Sequence, residues 1–130
     1  MLKDWMSYLS EKSRVIDLIQ HTLGCGCPEE VFDHYLVCRL EAPPIALVKM
    51  IIGERLLVYL VPHEETRQGG LQISELLRQG QSERDSRGLN RFRLVVVGTL
   101  GQIRPRLEQE VRRLHDPKVH LHLIRSISGS

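Results

Sequence analysis

Two apolar runs rich in branched residues, Ala46 to Ile52 and Arg55 to Val61, stand on either side of Gly53-Glu54. Such an arrangement specifies a tight hairpin, because the connecting turn calls for a residue at positive φ and glycine adopts that conformation freely. Neither run alternates cleanly between apolar and polar side chains, so the two strands belong in a sheet covered on both faces. Helices have to supply that cover. The apolar stretch from Ile45 to Val61 is interrupted by Lys49 and by Gly53-Glu54-Arg55, and it falls short of the roughly 20 apolar residues that a bilayer-spanning helix needs.

The segments around the hairpin have the required periodicity. Leu2, Trp5, Leu9, Ile16, Ile19 and Leu23 recur at alternating intervals of three and four residues, with Lys12 as the polar exception. This spacing predicts one N-terminal helix, or two with a break near Glu11 to Ser13, stopped by Gly24. Pro28 suits the first position of a short helix, Glu29 and Glu30 favour its positive end, and Tyr35 to Cys38 reads as a strand or extended segment ended by Pro43-Pro44. After the hairpin, Leu71 to Leu77 predicts a short amphipathic helix and the polar Gln79 to Gly88 a loop. Phe92 to Val97 predicts a buried strand, Ile103, Leu107, Val111 and Leu114 one face of a helix, and Val119 to Leu123 a last strand of period two. The fold class is therefore α/β. Residues 1–130 are expected to form a single domain, a mixed four- or five-stranded sheet with helices on both faces and right-handed parallel crossovers at its end.

Composition narrows the function classes. A chain that is 42% hydrophobic and 26% charged is an ordinary globular one. Its formal net charge of +2 demands neither a nucleic acid nor an acidic membrane as partner. Met1-Leu2-Lys3-Asp4-Trp5 does not open with the basic and then apolar pattern of a signal peptide, and three cysteines would leave one unpaired in a secreted chain. The expectation is a cytoplasmic protein with reduced thiols.

Cys25-Gly26-Cys27 is the leading candidate site, since it lies just before Pro28 at the mouth of a helix. Thiols one residue apart can close a small disulfide or approach a single metal ion; the positive end of the helix dipole favours the nucleophilic thiolate, while Glu29 and Glu30 in the first turn oppose that ionisation. A zinc or iron-sulfur site would draw on Cys25, Cys27 and Cys38, with His34 or His21 as fourth ligand, although the spacing matches no standard signature. Cys38 by itself reads as a core residue. His120 and His122 project to one side of a strand, an arrangement that suits two ligands of one metal ion or two residues on the half-exposed face of an edge strand. Between Arg78 and Arg93 stand five arginines against two acids; of these Arg84, Arg87 and Arg91 are candidates for gripping a phosphate or an acidic surface from a loop. Gly98-Thr99-Leu100-Gly101 joins a strand to a helix without the lysine of a phosphate-binding loop. Glu29-Glu30 and Glu64-Glu65 read as surface pairs, and no nucleophile, histidine and acid constellation is present.

Two functional readings follow. In the first, the chain is a small accessory protein whose Cys25 and Cys27 thiols serve redox exchange or the handling of zinc or iron-sulfur clusters. In the second, it is a non-enzymatic binding or scaffold module that docks another protein, or less directly a nucleic acid, through the arginine-bearing loop or the Trp5 helix. Homodimerisation through the Leu2, Trp5, Leu9, Ile16 and Ile19 stripe is a further expectation. Nothing in the sequence requires an enzyme.

Overall fold

The computed structural model describes residues 2–42, 45–63, 70–98 and 103–127. A mixed five-stranded sheet runs in the order β1-β2-β3-β4-β5, formed by Tyr35–Ala42, Ile45–Ile52, Leu56–Pro62, Arg91–Val97 and Val119–Ile124. The first three strands form an antiparallel meander, and β3, β4 and β5 are parallel. Parallel neighbours need crossovers, which are supplied by α3 (Gly70–Ser86) and α4 (Arg104–Arg113). The expected α/β sheet is thus present with five strands.

Side chains alternate along each strand and split the core into two layers. Val48, Met50, Ile52, Leu56, Val58, Leu60, Val95 and Val97 meet α1 (Leu2–Tyr8), α2 (Lys12–Ile16) and the π-helical turn Asp17–Thr22 that continues it. Leu47, Leu57, Tyr59, Val61, Phe92, Leu94 and Val96 face Ile73, Leu76 and Leu77 of α3 and Leu107 of α4. Every residue of β3 is buried, which accounts for the unbroken apolar run in the sequence, since a central strand covered on both sides has no solvent face. The N-terminal stripe serves the chain's own sheet: Leu2, Trp5, Leu9 and Ile19 are buried and Ile16 packs against them. The stripe thus covers the chain's own sheet, the role expected of it if not given to a neighbour.

Several local expectations are corrected. The hairpin turn contains three residues rather than two, because Ile52 pairs with Leu56. Gly53 carries φ +59°, and a side chain there would run into Val31. Residues 79–88 do not form a loop: α3 continues to Ser86 and turns at Gly88, whose φ is +69°. The polarity of this helical half reflects the ion pairs it makes. Glu83 accepts hydrogen bonds from Lys49 Nζ at 2.7 Å, Tyr59 Oη at 2.5 Å and Arg87 Nε at 2.8 Å. Arg84 meets Asp116 at 2.7 Å and Asp85 at 2.9 Å, and Gln81 and the Lys118 amide also donate to Asp116. Pro43-Pro44, Glu64-Glu65 and Thr99 to Gly101 lie outside the described residues.

Candidate functional site

The segment carrying the two cysteines is shaped by its neighbours. The π-helical turn ends at Thr22, Gly24 takes φ +72°, and the Cys25 amide donates back to the Ile19 carbonyl at 3.0 Å. Gly24 is thus the predicted stop, and it turns the chain over the sheet end. Gln20 Nε2 donates to the Cys27 carbonyl at 2.8 Å and pins the far side of the loop. Cys25 and Cys27 are joined in a disulfide, with Gly26 exposed between them. Pro28 is the N-cap of a five-residue 3-10 helix, Glu29–Asp33, rather than its first residue, and so short a helix supplies little dipole.

Positive side chains provide the local field instead. A cleft of about 270 Å³ is lined by Cys25, Gly26, Cys27, Arg55, Leu56, Asn90, Arg91 and Arg93. Backbone hydrogen bonds assemble its floor: the Arg55 carbonyl accepts from the Asn90 amide at 2.7 Å and from the Arg91 amide at 3.1 Å. These bonds tie the end of the hairpin turn to the start of β4. Arg91 and Arg93 project from the face of β4 that also carries Val95 and Val97, beneath the N-terminal layer. Arg93 Nη1 reaches the Leu23 carbonyl at 3.4 Å, next to the disulfide loop.

A ladder of arginine and histidine extends the cleft across the parallel end of the sheet. Arg91 Nη1 lies 2.7 Å from His120 Nε2, and Arg93 Nη1 lies 2.7 Å from His122 Nε2. A guanidinium only donates, so each imidazole accepts at Nε2 and is neutral with its proton on Nδ1. The electrostatics agree. Burial, followed by the charge of Arg93 and the neighbouring His120, pushes His122 down to about 4. Burial and the charges of Arg93 and Arg91 push His120 down as well, against a smaller opposing pull from Asp116. Burial, and then repulsion from Arg91, lowers Arg93 below the usual guanidinium range, and its Nε is buried without a hydrogen-bond partner.

The other candidates are dispersed. Cys38 pairs with Lys49 across β1 and β2, on the α3 face of the sheet, whereas the disulfide packs against the opposite layer. Cys25, Cys27, Cys38 and His34 therefore do not converge, and among the described residues no group of three or more His, Cys, Asp or Glu side chains gathers as a metal site. His120 and His122 share one side of edge strand β5, as the sequence implied, but their Nε2 lone pairs receive arginine protons. Arg84, Arg87 and Arg91 are likewise separated. Arg84 is buried against Asp116, Arg87 sits on Glu83, and Arg91 alone reaches the cleft.

No family model and no curated protein matches this chain. The residues that sequence reasoning passed over are Arg55, Asn90 and Arg93. For Arg93 the signal was its alternation with Arg91 in an otherwise apolar strand, opposite His120 and His122 at the same spacing; Arg55 and Asn90 carried none.

Proposed function

We propose that Cys25 and Cys27 form a thiol-disulfide exchange site. The observation that supports this reading is their bonding to each other at the rim of a cleft formed by Arg55, Arg91 and Arg93. A thiolate from a donor attacks one sulfur, the bond between Cys25 and Cys27 breaks, and the other sulfur leaves as thiolate. A second donor thiolate then attacks the donor sulfur of the mixed disulfide, releasing the oxidised donor and the second cysteine thiolate. Two donor thiols are oxidised to one disulfide, and their two protons pass to the two cysteines. Adjacent guanidiniums stabilise both the arriving and the departing thiolate, and a better leaving group departs faster. Glu29 and Glu30 are exposed to water, which screens their opposition to this ionisation.

The test is redox titration of the folded chain with alkylation and mass measurement. The expected result is protection of Cys25 and Cys27, but not Cys38, in the oxidised protein, with an equilibrium potential between about −270 and −120 mV, the range of exchange-active pairs. Alkylation of all three thiols before any reduction would overturn the reading. So would exchange no faster than that of an unfolded peptide carrying the same cysteines.

A further inference from the structure

We infer that the cleft selects thiols bearing extra negative charge, so that the exchange partner of Cys25 and Cys27 is a small acidic thiol compound; this rests on the exchange reading above. The two faces of the sheet treat their arginines differently. On the α3 face, buried Arg84 is met by the carboxylates of Asp116 and Asp85. On the cleft face, Arg55, Arg91 and Arg93 meet no carboxylate among the described residues, and the partners of Arg91 and Arg93 are neutral imidazoles. The histidines orient the guanidinium forks without cancelling their charge.

The cleft is thus positive, with Arg91 and Arg93 two residues apart on one face of β4 and both lining it, so that their charges repel. A carboxylate, sulfonate or phosphate entering it relieves that repulsion and accepts paired N–H donors in the geometry guanidinium favours. Asn90 adds an uncharged amide at the same rim. The volume of about 270 Å³ lies just below the usual range of small-ligand pockets, which suits a compound of roughly tripeptide size or smaller. Charge of this kind acts chiefly on encounter and orientation, where focusing in a cleft raises association rates by about 10-fold to 1,000-fold.

The experiment follows reduction of the oxidised full chain by mercaptosuccinate, 2-mercaptoethanol and cysteamine, with rates expressed per thiolate and corrected for donor basicity. An oxidised peptide spanning Gly24 to Pro28 supplies the reference order. The expected result is that mercaptosuccinate outpaces 2-mercaptoethanol on the protein by at least about 10-fold more than on the peptide, with cysteamine slowest. That excess shrinks as salt is raised, and inorganic sulfate slows mercaptosuccinate more than 2-mercaptoethanol. In Arg91→Gln the excess falls, and Arg55→Gln, on an exposed turn, gives the same reading with no threat to the core. If all three thiols reduce the protein readily in the order shown by the peptide, charge selection is refuted while exchange stands. If none reduces it faster than the peptide, the exchange reading fails and takes the inference with it.

Discussion

Replacing Gly80 by alanine isolates how closely α3 is seated on the sheet. In an open helix this change stabilises by about 1 kcal/mol, because alanine loses less backbone freedom on folding. Here the new methyl group would sit within 2.6 Å of three carbons at the far edge of the Phe92 ring. Phe92 is fully buried, with Tyr59 packed edge-on at 4.9 Å between ring centroids and an interplanar angle of 73°. Overpacking of this kind costs about 1 to 3 kcal/mol, so the net effect is a loss of up to about 2 kcal/mol in place of a gain of about 1. For a chain of this length that corresponds to a fall in Tm of up to roughly 6 to 10 °C. Reversible thermal and urea melts measure it directly. A second cycle in a Phe92→Leu background separates the clash from helix propensity, since the smaller side chain leaves room for the methyl and Gly80→Ala becomes neutral or stabilising there. A rise in Tm for Gly80→Ala alone, by the few degrees that propensity confers, would refute the reasoning.

Three further outcomes are expected. Arg84→Ala removes the main partner of Asp116 in a pair whose side chains are 8% and 13% exposed, and costs about 3 kcal/mol in urea melts, whereas Arg87→Ala, whose partner Glu83 keeps Lys49 and Tyr59, costs about 1 kcal/mol or less. His122 ionises at about 4 in the fold against 6.5 for an unperturbed histidine, so between those values the unfolded chain binds more protons; stability present above pH 6.5 is lost as pH falls toward 4, and His122→Gln flattens that slope in Tm against pH. His115 follows α4 with φ +51°, a conformation that costs most residues roughly 1 to 2 kcal/mol, so His115→Gly raises stability by about 0.5 to 1 kcal/mol after its own entropy cost.

The sequence made the fold legible wherever a strong local signal agreed with burial. Branched apolar runs gave β2, β3 and β4, the three-and-four spacing gave the N-terminal helices with their break, and Gly24 gave the stop. It misled at Gln79 to Gly88, where charge density normally means solvent. The polar residues there are paired with Lys49, Tyr59 and Asp116, which lie 24 to 35 residues away in sequence, and no local pattern reveals partners at that distance. The cysteine pair was visible as a candidate from its spacing and from Pro28. Its surroundings were not, because Arg55, Arg91 and Arg93 meet it only through the pairing of β3 with β4. The proposed metal set failed for a related reason: odd and even positions of β1 face different layers, and Cys38 belongs to the wrong one.

The pairing of Arg55 with the start of β4 has a mechanical consequence. Two amides, those of Asn90 and Arg91, hang from one carbonyl at the end of the hairpin turn, so that turn ties the antiparallel half of the sheet to the parallel half. A shift of the Arg55 carbonyl bears directly on the amides of Asn90 and Arg91. Glu54 and Arg55 are themselves exposed, so this end of the cleft borders water rather than either core layer.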